Sequence, residues 1–557
     1  MSSLFLRSTH EGEKVMSLSK NSKHKTIWED SLCMPKFNPL SDNTEVDVCI
    51  VGGGIAGLTT AYLLTKEGKR VCVLEDAELC SGQTGRTTAQ FVTALDDRFF
   101  EIERLHGEKG AKIAAESHAT AIEKVKGIVR SEKIECEMEI VDGFLFAADD
   151  KRKDVLQDEL KAITRAGLAN VKFIEHSPLA FFDTGPCLQF SQQMQLHPLK
   201  YLSALTDRIV RAGSQIYTNT HVNHVKGGKH AEVKTDKGFV VHCKSIVMAT
   251  NTPVNDLFAI HTKQAAYRTY VLGFDIPKGS IPNALFWDTL DPYHYVRLEQ
   301  NGSGNDILVL GGEDHKTGQD DHPEARFEAL EKWVRARYPM AGEVLYRWSG
   351  QIMEPVDGMG FLGHNPMDRD NVYVITGDSG NGMTHCTIGA MLVTDQIMGR
   401  ENPWEDLYNP SRISMHAVPE YMKENANVAA QYVEWLEPKS VPNFEELFAG
   451  EGVVFRKGVR MIAAYKDDDN KLTFLSSACP HLGGVIHWNN VEKSWDCPCH
   501  GSRFEAKGKV IEGPAWSDLA RVTFPEVPSE AEIPLSQTSI NKESYPGKSE
   551  RHPSITF

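Results

Sequence analysis

The sequence predicts an α/β fold, a Rossmann-type dinucleotide-binding domain with a small all-β domain behind it, and three observations predict it. A buried-strand pattern over 46–51 ends in glycines, runs into a helical pattern, and is followed by a second strand over 70–74. Strand, turn, helix and strand in that order make half of a doubly wound unit. A late strand pattern, 371–376, enters another glycine-rich turn and a long helical stretch to about Met398. From about Gly450 the character changes to short strands and turns, VVFRKG and RMIAAYKDDDNKLTFLS.

Taken in order, residues 1–44 are polar and proline-containing and read as a lead segment. The opening MSSLFLRSTHEGEKVM has a short apolar patch and no h-region, so a frayed terminus is expected there. The spacing predicts a helix over 55–67 with Gly68 at its C-cap. Residues 98–170 are rich in charged helical stretches, and HPLKYLSALTDRIVRAG predicts an amphipathic helix from Pro198. Residues 215–248 alternate as strands, and 245–250 closes them with a buried-strand pattern. Several strand-like stretches follow over 265–312, including 307–310. The domain reading is a main body over 45–412, a helical linker over 413–440, a β-rich domain over 441–527 and a Ser/Pro/Lys/Glu tail over 528–557.

Composition narrows the class. Apolar residues make 41% and charged residues 24% of the chain, as in ordinary globular enzymes. The net charge of −16 argues against nucleic acid or an anionic membrane as a main partner, because both call for basic patches. No apolar run reaches the roughly 18–20 residues of a membrane span. The 11 cysteines are odd in number and scattered, and only the last three cluster. That usage suits a reducing compartment, and a cytoplasmic protein is expected.

Gly52-Gly-Gly54-Ile55-Ala56-Gly57 fits G-x-G-x-x-G. Alone the string is weak, and Gly358-Met-Gly360-Phe-Leu-Gly363 fits it equally. The second copy has Pro355 before it and His364-Asn-Pro after it; with no strand entering and no helix leaving, it reads as a turn. The first copy has both, and Glu75 stands 18 residues past Gly57. Small residues admit a pyrophosphate to the helix N-terminus, and Glu75 offers an acceptor to ribose hydroxyls. The motif does not choose between NAD and FAD.

Cys479-x-His481 and Cys497-x-x-His500 match the ligand set of a Rieske [2Fe–2S] cluster, in which two thiolates hold one iron and two imidazoles the other. A Cys2His2 zinc site is the bland alternative, but C-x-H is an unusual half for zinc. His487 and His385 have no matching partner spacing and read as surface or packing residues.

Around the first motif stand Cys80-Ser-Gly-Gln-Thr-Gly-Arg86-Thr87-Thr88-Ala89, Ala249-Thr-Asn251, Trp348-Ser-Gly350 and Thr376-Gly377-Asp378-Ser-Gly380-Asn-Gly382-Met383. Together they resemble the D-amino-acid oxidase-like family of FAD-dependent oxidoreductases over roughly residues 45–400. The resemblance implies FAD as cofactor and an α+β substrate domain interleaved with the dinucleotide fold. It places Arg86, Thr87 and Thr88 along the pyrophosphate or flavin, Ala249 at a strand end beside the cofactor, and the helix N-terminus at 377–383 toward the flavin. Gly360 stands where the family commonly has proline. In similar proteins with a Rieske domain, the first cluster loop ends in a Cys that bonds the middle Cys of the second. Here that place is Gly484, so Cys499 lacks its expected partner and either stays a free thiol or pairs elsewhere; the free thiol is the favoured reading. The resemblance gives Ser502 a hydroxyl bond to a cluster sulfur and puts Phe504 where high-potential members carry Tyr.

Tyr295-Val-Arg297 resembles the family's Tyr-x-x-Pro-Arg stretch, in which an Arg clamps the substrate carboxylate, so Arg297 and Tyr295 are the candidate catalytic pair. His315 and Tyr293 are candidates for the same pocket. With no second dinucleotide unit in context, direct oxidation of a small amine or amino acid at a CH–NH or CH–NH2 group is expected. A hydride acceptor joined to a one-electron centre implies a dehydrogenase that passes single electrons to an outside acceptor, a protein or a quinone. The rivals are a Rieske oxygenase, disfavoured because the chain has no H-x4-H for an iron site, a non-catalytic relay, and an NAD(P)H-driven electron-transfer protein.

Overall fold

The computed structural model describes residues 25–147, 153–255, 259–300, 304–320 and 322–524. The expected terminus over 1–24 and the tail lie outside them. A six-stranded sheet holds the dinucleotide half, in the order Phe361–His364, Val372–Thr376, Ser245–Met248, Val48–Val51, Val71–Leu74 and Gln215–Tyr217. All neighbours are parallel except the first pair. The central strands are buried on both faces, which is why they read as unbroken apolar runs. Helices Ile55–Lys66 and Gly382–Ile397 pack together, so the two glycine-rich turns meet at the carboxyl end of the parallel strands.

A nine-stranded mixed sheet forms the second layer of the body, running from Val344–Pro355 through Gln264–Ile276, Asp306–Lys316, His294–Glu299, Leu285–Asp288, Glu139–Phe146 and Cys187–Gln195 to Gln90–Phe91, with Val171–Ile174 also paired to Cys187–Gln195. Helix Phe99–Glu132 and the amphipathic helix Pro198–Arg211 complete the body. The C-terminal domain consists of a three-stranded and a four-stranded antiparallel sheet.

From residue 25 the lead segment packs against the body. Thr26 and Glu29 form a capping box on helix Ile27–Ser31, and the fully buried Trp28 donates its indole N–H to the Thr87 carbonyl at 2.7 Å. Burying a tryptophan ties this segment to the very stretch expected at the cofactor. The turn at 358–363 is a turn as expected, but a strand does enter it: Val344–Pro355 precedes it and Phe361–His364 leaves it.

The linker crosses the surface as helix Val418–Gln431, which buries none of its residues, and a 3-10 turn over Tyr432–Leu436. The C-terminal domain is nevertheless docked firmly on the body. Glu492 pairs with the fully buried Arg268 at 3.5 Å, accepts from Ser349 at 2.6 Å, and faces Arg503 at 3.7 Å. His487 reaches the Gly318 carbonyl and Glu434, each at 2.7 Å. No helix among the described residues is long and apolar enough to cross a membrane.

Candidate functional site

The two glycine-rich turns and the inner face of the large sheet enclose a cavity of about 320 Å³. Gly52 is needed where it stands. Its φ is +111°, and a Cβ there would lie 2.2 Å from the Ala249 carbonyl oxygen. A Cβ on Gly57 would lie 2.0 Å from the Gly52 carbonyl oxygen. Thr84 accepts the first free helix N–H, that of Ile55, at 3.0 Å. Glu75 accepts from Gly53 N at 2.6 Å and Ala77 N at 3.1 Å, while burial pushes its carboxyl up. Arg86 is buried, and its Nε, without a hydrogen-bond partner among the described residues, belongs to a side chain lining the cavity. A narrow glycine cradle, a helix N-terminus and a buried guanidinium fit a dinucleotide pyrophosphate. Gly52, Gly54, Ile55, Ala56, Glu75, Arg86, Thr87, Thr88, Ala249, Gly377, Asp378, Gly380, Gly382 and Met383 all line the cavity; Gly57 stands behind it.

Tyr295 and Tyr293 also line the cavity, their rings 5.6 Å apart. The Tyr295 hydroxyl meets Thr269 Oγ1 at 2.9 Å, and Tyr293 donates to Asp96 Oδ2 at 2.8 Å. Arg297 is a correction. It lies two residues along the same strand but outside the cavity lining; its guanidinium donates to the Thr88 and Ala89 carbonyls at 2.8 and 3.2 Å, pairs with Glu299, and lies over the Trp28 ring. It braces the backbone of the 86–89 segment. His315 is also outside, 2.9 Å from the Tyr270 hydroxyl. His385, expected as a packing residue, does line the cavity, held neutral by burial with its pKa down to about 4.

Sequence reasoning missed Asp96, Trp287, Thr269 and Gln351 in this wall, and also 510–513 and Ala515 of the C-terminal domain. No local pattern marks them, since each comes from a different element.

The two cluster loops repeat one backbone design. Cys479 N donates to Gly484 O at 2.9 Å and Cys497 N to Ser502 O at 2.8 Å. Gly483 N then donates to Cys479 O, and Gly501 N to Cys497 O, at 2.9 and 3.1 Å. Gly483 and Gly501 both adopt positive φ, +77° and +79°, which closes each loop. The loops bring Cys479 and Cys497 within hydrogen-bond reach of each other, and the His481 and His500 rings to 4.9 Å. Thiols beside thiols and imidazoles beside imidazoles is the donor set a two-iron cluster requires. Burial drives the His500 pKa down to about 3, the neutral state a ligand needs. The Ser502 hydroxyl bonds Cys479 and also accepts from Ala515 N at 3.1 Å. Cys499 is a free thiol within reach of the Tyr432 hydroxyl. Tyr432 donates to Leu482 O and Trp435 to Gly483 O, each at 2.9 Å, so the linker clasps the first loop from outside.

The imidazole pair faces inward. The His261 ring stands 4.9 Å from that of His481 and 6.0 Å from that of His500, and its Nδ1 lies 3.4 Å from Thr252 Oγ1, in the cavity wall. Gln351, also in the wall, donates to Gly501 O at 3.1 Å.

Comparison with known proteins matches the family described as FAD dependent oxidoreductase to residues 47–396 and the Rieske [2Fe-2S] domain to residues 437–525. A Bacillus subtilis protein named for its Rieske 2Fe-2S centre, YhfW, is 32% identical over 499 residues, 89% of this chain and 97% of its own. The γ-glutamylputrescine oxidoreductase of Escherichia coli is 25% identical over 377 residues, 65% of this chain and 86% of its own. The solved glycine oxidase of Geobacillus kaustophilus shares the body's fold, with a TM-score of 0.56 at 17% identity, covering 67% of this chain and all of its own.

Proposed function

We propose, for a chain that belongs to the FAD-dependent oxidoreductase family and carries a Rieske [2Fe-2S] domain, that it dehydrogenates a small amine or amino acid and delivers the electrons one at a time to an outside acceptor. The chain is an FAD-dependent oxidoreductase with an iron–sulfur domain. FAD when bound takes a hydride from a C–N substrate, and the cluster carries single electrons.

The observation that carries the proposal is the inward-facing imidazole pair. Cys479, His481, Cys497 and His500 would hold the cluster, and the two imidazoles abut the wall of the dinucleotide cavity through His261, with Gln351 bonded to Gly501 O beside them. Residues 510–513 and Ala515 wall the cavity, so the second domain also helps exclude water from the first. Tyr293, Tyr295 and Trp287 wall the end where a small substrate would sit, and the brace by Arg297 fixes the 86–89 segment. The relatives support the substrate class, since one acts on γ-glutamylputrescine and a structural neighbour is a glycine oxidase. The acceptor is a one-electron protein or a quinone, and cysteines that form no disulfide among the described residues suit the cytoplasm.

The test is an anaerobic titration of the holoprotein with amines, amino acids, NADH and NADPH, following flavin and cluster bands separately. Flavin bleaching by an amine or amino acid, with cluster reduction after it, is expected. Bleaching by nicotinamides alone would make the protein a reductase, and silence to all would make it a partner-driven relay.

A further inference from the structure

The substrate end of the cavity carries a charge pattern of its own. Asp96 lines it, with one carboxylate oxygen held by the Tyr293 hydroxyl at 2.8 Å. The rings of Trp287, Tyr293 and Tyr295 line the same end. Trp287 is fixed there by its indole N–H, which donates to Gln90 Oε1 at 3.0 Å. Behind this wall lie further carboxylates. Asp314 is hydrogen-bonded by Thr269, and its Oδ1 is buried with no hydrogen-bond partner among the described residues. Asp97 and Glu354 both accept from the Ser379 hydroxyl, at 2.5 and 3.0 Å.

Positive charge is directed elsewhere. Among the described residues lining the cavity, Arg86 is the one guanidinium, and it sits in the segment assigned to the dinucleotide. Arg98 donates to the Leu95 and Asp288 carbonyls, Arg268 is engaged by Ser349 and Glu492, and Arg297 braces backbone. His221 is paired with Asp76 at 3.0 Å, beside Glu75, on the dinucleotide side. A substrate carboxylate at this end would meet carboxylates with no fork to grip it. An ammonium would meet a carboxylate and the faces of aromatic rings, both attractive in a desolvated pocket.

Resting on the reading that this cavity oxidises an amine or amino acid, we infer that its substrate is a cationic amine with no carboxylate beside the reacting nitrogen, received by Asp96 within the wall of Trp287, Tyr293 and Tyr295. Asp96 and Tyr293 are then binding residues, and they discriminate by charge.

The test uses the FAD- and cluster-loaded protein and two matched probes that flavin does not oxidise, tetramethylammonium and acetate. Binding is read from the shift of the flavin absorption band, with the cluster's EPR signal as the check on folding. Tetramethylammonium should bind competitively with alkylamines and acetate should not perturb the band. D96N should weaken tetramethylammonium at least tenfold, Y293F by less, and D96E should restore part of the affinity. Acetate binding with tetramethylammonium silent would overturn the inference, as would unchanged cation affinity in both D96N and D96E. Amino acids bleaching the flavin where alkylamines do not would also overturn it while leaving the oxidation reading intact. Bleaching by neither class would remove the oxidation reading itself, and the probe affinities would still decide whether the pocket selects cations.

Discussion

Gly484→Cys should install a bridge to Cys499 and stabilise the cluster loops. A Cβ built on Gly484 falls 2.5 Å from Cys499 Sγ and 3.5 Å from Cys499 Cβ. A disulfide wants Cβ atoms about 3.5–4.5 Å apart, so the pair is at the near edge of that range and a shift of a few tenths of an ångström completes it. The bridge would close a loop of about 15 residues, for which the chain-entropy estimate is about 3 kcal/mol. Every 1.4 kcal/mol is a factor of ten, so opening of the loops should fall by about two orders of magnitude. The assay is the rate at which the cluster band bleaches in intermediate denaturant, with and without dithiothreitol, beside a thiol count. Expected are two titratable thiols fewer than with dithiothreitol present, and cluster loss slowed tenfold to a hundredfold in the oxidised form alone. Cys497 Sγ is the competitor, 3.3 Å from the same Cβ, so oxidation must follow cluster loading, when Cys497 is committed to iron. An oxidised variant that holds the bridge yet loses its cluster as fast as wild type would refute the reasoning. It would mean that Tyr432 and Trp435, bonded to Leu482 O and Gly483 O, already hold the loop as firmly as a disulfide could.

Other consequences are as specific. G52A forces a Cβ to 2.2 Å from a backbone oxygen at positive φ, so the purified variant should hold less than a tenth of the wild-type flavin, read by absorbance after denaturation. H500A should lose the Rieske EPR signal while flavin stays bound; joint loss of both would show that the cavity wall at 510–513 and Ala515 is itself held by the cluster. E492Q leaves the buried Arg268 without its countercharge, so undocking the domains should become easier by about 3–5 kcal/mol, seen as faster proteolysis within the linker. Burial and the neighbouring Asp97 and Asp378 raise the Asp96 pKa to about 6, against the opposing pull of the Tyr293 hydrogen bond and Arg98. Its carboxylate is the charged form, so tetramethylammonium affinity should rise with pH through about 6 and level off above it, and a flat profile would deny Asp96 the role.

Periodicity and glycine spacing settled the parts of this protein that depend on contiguous residues. The strand–glycine–helix unit at 48–66 and the cluster loops are local, since each function there is performed by backbone and side chains within a few positions. Cys479, His481, Cys497 and His500 stand out as a candidate set because two short loops carry all four, and each loop closes on itself. Arg297 was misjudged for the opposite reason. A strand residue points to one face, but whether it meets a cavity or a neighbouring backbone depends on what the chain packs there, and here Trp28 and the 86–89 segment cover it. Asp96, Tyr293 and Trp287 share one cavity wall only because the turn before helix Phe99–Glu132 folds against two neighbouring strands of the large sheet, and each sits in its own stretch without any telling neighbour. The inward turn of the cluster histidines onto His261 is decided the same way, by buried pairs between Arg268 and Glu492 more than 200 residues apart in the chain. Sequence alone fixes what a contiguous stretch can bind; the charge a substrate meets, and the direction electrons can leave, are properties of surfaces that only packing brings together.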